Sequence, residues 1–92
     1  MQVISEDYIR LEIKKLISEL TERELDEIGD TTLYRDELGV DSLTALEVMF
    51  AVDKKFGISI PDDEYHQLSN VNDTVALVLK YLPQEALSGS AA

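Results

Sequence analysis

The sequence predicts an all-α domain, a small four-helix bundle with a long first loop and a short third helix. Three observations carry this expectation. Apolar residues recur at helical spacing in well-separated stretches of the chain. Gly57 and Pro83 stand where two of these stretches stop, as helix-ending residues do. The one segment that reads as extended, Ile58-Ser59-Ile60, has no candidate partner strand.

The elements follow in order. Ile9, Ile13, Leu16, Ile17 and Leu20 fall at i, i+4, i+7, i+8 and i+11, an amphipathic helix stripe. Ser5 suits the cap, with Glu6 and Asp7 in the first turn where the helix dipole favours acids. The first helix is therefore expected near residues 5–20. Residues 21–41 are mixed and polar, broken by Gly29 and Gly39, and Leu25, Ile28, Leu33 and Leu38 are spaced to pin this loop onto a core. A connection this long in a small domain has a task of its own or contains a helical turn. The second helix is expected from about Ser42 to Phe56, ended by Gly57 at the C′ position. Pro61 opens "PDDEYHQL", a short third helix with acids behind its first residue. Asn72 is expected to cap a fourth, which carries Val75, Val78, Leu79 and Leu82 and stops at Pro83. The small, polar "QEALSGSAA" reads as a disordered tail, so the domain is assigned to 1–83 and the tail to 84–92.

Composition narrows the function. Ninety-two residues favour one domain, and 45% hydrophobic residues suffice for a core. The absence of cysteine excludes a disulfide framework, a thiolate metal site and a cysteine nucleophile. The first residues, "MQVISEDYIR", lack the basic and apolar regions of a signal peptide, and no apolar run approaches the ~20 residues of a membrane span. A soluble, cytoplasmic protein without membrane insertion is the expectation. Nineteen acids against eight bases give a formal net charge of −11. Such a chain is repelled by nucleic acid and anionic membranes and steered towards basic protein partners. The plainer alternative is that the acids keep a small domain soluble.

The second helix carries two apolar faces. At about 100° per residue, Ala45, Val48, Met49, Val52 and Phe56 gather on one side. Nearly opposite stand Leu43, Leu46 and Phe50, interleaved with Glu47, Asp53 and Lys54. Folding explains one face. The other is either packed under the long loop or free for a partner.

Ser42, in "GVDSLTALEV", admits three readings. It can cap the second helix, although Asp41 can do so one residue earlier, and the capping box is incomplete because Ala45 and Thr44 stand where Glu or Gln belongs. It can be a nucleophile, but the only histidine, His66, comes without an evident orienting partner, and no G-x-S-x-G elbow is present. Metal chemistry has no better footing, since "DEIGDTTLYRDE" misses the EF-hand spacing and glycine. Finally, Ser42 can be modified, because a hydroxyl at a helix start is exposed and the N–H groups there favour a phosphate.

The stretch "ELGVDSLTALEVMFAVDKKFGISIPDDE", Glu37 to Glu64, resembles the acyl carrier proteins of fatty-acid and polyketide synthesis. Its Asp41-Ser42-Leu43 matches the family's DSL motif. The three residues alone recur by chance, but L-G-x before them and F-G-x-x-I-P-D-[DE] at a fixed distance after them make the match specific. The resemblance runs from Lys14 to about Leu82. It implies that Ser42 carries 4′-phosphopantetheine, transferred from coenzyme A by a phosphopantetheinyl transferase. The arm's thiol would hold acyl groups as thioesters, so the protein would be a monomeric carrier and not an enzyme. Its partners would be acyl-loading, condensing and modifying enzymes with basic docking patches. Asp41, Leu43, Glu47, Phe50 and Asp53 are the implied contacts, and the core face with Ile60, Leu68 and Val75 would line an acyl cavity. Thr44, Lys54 and Lys55 depart from the acids usual at or near these places in fatty-acid carriers, which points to a dedicated polyketide or specialised lipid pathway beside fatty-acid synthesis. Two alternatives stand: an acidic helical interaction module whose serine only caps a helix, and a peptidyl or aminoacyl carrier of a non-ribosomal pathway. The latter more often shows G-G-[HD]-S-L, against "LGVDSL" here.

Overall fold

A computed structural model describes residues 4–83, and the tail expected at 84–92 lies outside the described residues. The first helix, α1 (Glu6–Thr21), begins as its sequence requires: Ser5 is extended, and its hydroxyl accepts the Tyr8 N–H at 3.1 Å. Ile9, Ile13 and Ile17 are buried along one stripe, Leu16 is half-buried and Leu20 exposed. That stripe packs against both α2 (Ser42–Phe56) and α4 (Val71–Tyr81), while the single turn α3 (Asp62–Tyr65) lies against α2. The fold is thus all-helical, with no strand among the described residues. Val48, Met49 and Val52 of α2 meet Val71, Val75 and Val78 of α4 in one core, completed by Ile60, Tyr65 and Leu82.

Where the chain departs from expectation, a hydrogen bond decides. The cap of α4 is Asn70, not Asn72. Asn70 accepts the Asp73 N–H at 2.9 Å, so that Val71 can enter the core at the first helical position. Asn72 serves elsewhere, accepting from Arg10 of α1 and donating its N–H to the Asp30 carbonyl. The long loop holds a short 3-10 turn, Leu25–Glu27, and is pinned by Ile28 and Leu38, but Leu25 and Leu33 stay on the surface. Tyr34 takes their place. Its N–H donates to the Ser69 carbonyl at 2.9 Å and its phenol shares a 2.6 Å hydrogen bond with Thr74, which turns Leu33 outward. Ile58-Ser59-Ile60 pairs with no strand because Asp53 claims it. The Ile58 N–H reaches the Asp53 carbonyl at 3.0 Å, and the Ile60 N–H reaches the Asp53 carboxylate at 3.3 Å. Gly57 enters this bend at φ 66°, the left-handed conformation that favours glycine.

Ion pairs tie the elements together at the surface. Glu12 bridges Lys55 at 3.1 Å and Lys15 at 3.3 Å, which joins α1 to α2. Asp30 holds the loop to Lys14 at 2.9 Å and Arg10 at 3.3 Å. Each pair has one half-buried partner (Glu12, Lys14 or Arg10) and one in solvent. Surface pairs contribute at most about 1 kcal/mol each, so they orient the loop and α2 on a fold that burial stabilises. No helix among the described residues is long and apolar enough to cross a membrane.

Candidate functional site

The site is built by the end of the long loop. The Leu38 N–H donates to the Leu33 carbonyl and the Val40 N–H to the Tyr34 carbonyl at 2.8 Å. Between them Gly39 adopts φ 67°, a conformation in which a Cβ is strained. This turn sends Val40 into the core and delivers Asp41 to the start of α2. Asp41 is the cap: its carboxylate accepts the Thr44 N–H at 2.8 Å. That hydrogen bond also holds the Asp41 carboxyl below the usual range, so it is ionised at neutral pH. Ser42 is left as the first residue of the helix, exposed, and among the described residues no hydrogen bond engages its hydroxyl. Of the three readings, capping therefore falls to Asp41.

Ser42 stands at the mouth of a pocket of about 90 Å³, with Leu46, Arg35 and His66 around the rim and Tyr34, Val40, Ala45, Tyr65 and Leu68 deeper in. Beneath it lies a cavity of about 30 Å³ that shares those five deeper residues and adds Ile17, Val48 and Met49. The expected lining is met by Leu68 and by Ala45, Val48 and Met49 of the α2 core face, whereas Val52 and Phe56 of that face line neither space. Ile60 and Val75 are buried in the core but line neither space. His66 shares the mouth with Ser42, yet no hydrogen bond joins the two or orients the imidazole among the described residues. A nucleophile–base pair is not assembled there.

Two phenols that line both spaces escaped the sequence reading. A signal for them existed: Tyr34 with Leu38 and Tyr65 with Leu68 stand at i, i+4 and i, i+3. Burial pushes the Tyr34 phenol above its ordinary value, although its bond to Thr74 opposes this. Burial, then the hydrogen bond to Asp53, pushes Tyr65 up to about 12. A raised folded value means that the neutral phenols stabilise the fold fully below about pH 10, their unfolded value, and that this stability is lost as pH rises through the folded values. An alkaline titration followed by phenolate absorbance should thus show Tyr34 and Tyr65 ionising late and together with unfolding, with the Tyr81 phenol, which donates to Glu64, raised as well. Four phenols titrating near pH 10 with the helical signal intact would contradict this assignment.

The outer stripe of α2 is open. Leu43, Leu46 and Phe50 are 67%, 36% and 60% exposed, and Asp41 and Glu47 flank them in solvent. Asp53 does not join them. Its carboxylate faces the chain returning through α3 and accepts the Ile60 N–H at 3.3 Å and the Tyr65 hydroxyl at 3.0 Å. Helical spacing set it beside Phe50, but those hydrogen bonds commit it to the framework. Lys55 turns to Glu12, which leaves Lys54 exposed at the end of the helix.

Comparison with known proteins bears directly on this arrangement. Residues 12–78 match the family model described as the phosphopantetheine attachment site. The chain is 31% identical over 75 residues to an acyl carrier protein of Rickettsia bellii, covering 82% of this chain and 87% of that one. The chain belongs to the acyl carrier protein family. An acyl carrier protein of Zymomonas mobilis is 35% identical over 66 residues, 72% of this chain and 85% of the relative. Among solved structures, the acyl carrier protein of Enterococcus faecalis superposes with a TM-score of 0.71 at 22% identity, covering 84% of this chain and 98% of that one. This last likeness establishes the shared helical fold. The cofactor of this carrier is 4′-phosphopantetheine.

The residues at the mouth fit such a group. An uncommitted hydroxyl stands in the first turn of a fifteen-residue helix, whose N–H groups and dipole favour a phosphodiester. The pocket opens beside that hydroxyl.

Proposed function

We propose that this chain is a discrete, non-catalytic acyl carrier in which Ser42 bears the phosphopantetheine arm and the outer stripe of α2 docks onto partner enzymes. The observation that carries this reading is the Ser42 hydroxyl itself, exposed and uncommitted at the start of α2, within the matched residues and above an apolar-walled pocket. In loading, the Ser42 Oγ forms a new P–O bond to the phosphorus of coenzyme A that bears the pantetheine. The P–O bond to the departing adenosine bisphosphate breaks, and the serine proton passes to the transferase. When attached, the arm supplies the terminal thiol that this cysteine-free chain lacks, and acyl groups are held there as thioesters. The chain's own residues then do three things. Asp41 fixes the first turn that presents Ser42. Leu43, Phe50 and Glu47, with Asp41, offer an apolar stripe edged by negative charge to basic patches of a phosphopantetheinyl transferase and of acyl-loading, condensing and modifying enzymes. The pocket behind Ser42 offers shelter to what is carried.

The net charge of −11 supports this choice of partner and opposes nucleic acid. Thr44 and the exposed Lys54 make α2 less acidic than the chain as a whole, which supports a dedicated polyketide or specialised lipid pathway. A monomer working in the cytoplasm fits this role.

Intact mass before and after incubation with coenzyme A and a broad-specificity phosphopantetheinyl transferase tests the reading, with Ser42→Ala alongside. The expected result is a gain of one phosphopantetheine in the native chain and none in the variant. No gain in a folded native chain with an active transferase reduces Ser42 to an ordinary first-turn residue and favours an interaction module.

A further inference from the structure

Arg35 is an unusual residue in this chain. Nineteen acids outnumber eight bases. Among the described residues, six of those bases (Arg10, Lys14, Lys15, Arg23, Lys55 and Lys80) are held in ion pairs, and Arg35 and Lys54 are not. Lys54 stands about 18 Å along α2 from Ser42. Arg35 stands on the rim of the Ser42 pocket. Its neighbours fix it there. The Glu37 carboxylate accepts the Leu33 N–H at 2.9 Å, the Glu37 N–H donates to the Leu33 carbonyl at 3.0 Å, and the Val40 N–H closes on the Tyr34 carbonyl. Arg35 lies within this turn with its side chain exposed. The nearest acids in sequence leave it free. Glu37 is taken by Leu33, and no ion pair among the described residues joins Arg35 to Asp36, although the two line one neighbouring groove.

Loading brings one more negative charge to this end of α2. The phosphodiester is bonded to the Ser42 Oγ, so it stays at the rim wherever the rest of the arm goes. Asp41 beside it is ionised, and a chain of net charge −11 repels another anion. An unpaired guanidinium on the same rim offsets that repulsion, and its planar fork suits the non-bridging oxygens of a phosphodiester. We propose that Arg35 is a positioning residue for the arm, its guanidinium holding the phosphodiester on Ser42 against the end of the long loop. The inference rests on Ser42 as the point of attachment. It gives the arginine a partner that exists only after loading, so Arg35 contributes to the loaded carrier and not to the unloaded one.

The experiment compares unloaded and loaded forms of the full native chain, Arg35→Gln and Lys54→Gln, with complete loading checked by intact mass. Melting temperatures are read at low salt, and the arginine Nε–Hε resonances of 15N-labelled native chain are followed by NMR. Unloaded Arg35→Gln should melt with the unloaded native chain, because no ion pair is lost. On loading, the melting temperature of Arg35→Gln should fall relative to native by about 2–6 °C, the scale of an exposed ion pair in a small domain. Lys54→Gln removes the same charge at the far end of α2 and should respond to loading as the native chain does. In the native spectrum, loading should move the Arg35 signal and leave those of Arg10 and Arg23, both held in ion pairs, where they were. An Arg35 signal that loading does not move overturns the proposal, whatever the variants do. Equal responses in Arg35→Gln and Lys54→Gln also overturn it, because net charge and not contact would then set the effect. Failure to load shows as an unchanged mass of the native chain and strikes at Ser42 instead.

Discussion

Replacing Ile13 with alanine should destabilise the domain by about 2–5 kcal/mol, whereas the same change at Leu11, two residues earlier in α1, should cost no more than about 0.5 kcal/mol. Ile13 has no exposed surface and belongs to the core on a helix that packs against both α2 and α4, so truncation opens a cavity inside the bundle. Leu11 is 43% exposed and lines, with Lys14, an open groove against the long loop. The total stability of a chain this long is about 5–14 kcal/mol, and the Ile13 loss is a large share of it. The melting temperature should fall by roughly 10–30 °C for Ile13→Ala and by a few degrees at most for Leu11→Ala. Circular dichroism melts of the two variants decide the matter. Similar losses at both positions would mean that the stripe of α1 does not organise the core as described.

The stripe of α1 and the two faces of α2 were legible in the sequence because each follows from one helical period. The three isoleucines of α1 stand at i, i+4 and i+8, and nothing but burial explains them. Ser42 was legible for another reason: the residues on either side of it form a motif, so its environment travels with it in the sequence. The cap of α4 was not, since Asn70 and Asn72 are equal as residue types. Only the need to bury Val71 separates them, and that need arises from the tertiary fold. Asp53 shows the same limit more sharply. Its helical position suggested the docking face, yet the chain after Gly57 folds back over it and takes both its oxygens. Periodicity places a residue on a helix surface but says nothing of which other segment covers that surface. The phenols of Tyr34 and Tyr65 were missed because each offers only one helically spaced pair, with Leu38 and with Leu68, and a single pair does not say which segment will cover it.

The largest effect on function outside Ser42 is expected at Phe50. An exposed aromatic beside exposed Leu43, on a rigid helix and edged by Asp41 and Glu47, has the make-up of an interface anchor. Burying the exposed part of its ring against a partner enzyme, with the packing that goes with it, is worth about 1.5–3 kcal/mol. Phe50→Ala should therefore raise the KM of a phosphopantetheinyl transferase for this carrier by roughly ten- to a hundredfold, with kcat little changed because Ser42 and its first turn are untouched. Glu47→Lys should act differently. A charge at the rim mainly steers encounter, so its loss should slow association at low salt and matter little at high salt. Neither change removes a core contact, and both variants should keep native helicity. Transferase kinetics at two salt concentrations, read beside circular dichroism, separate these outcomes. An unchanged KM for Phe50→Ala in a folded chain would remove α2's outer stripe from the docking surface and leave its apolar residues without a function. A salt-independent loss in Glu47→Lys would mean that the glutamate makes a buried contact and does not act through the field it projects.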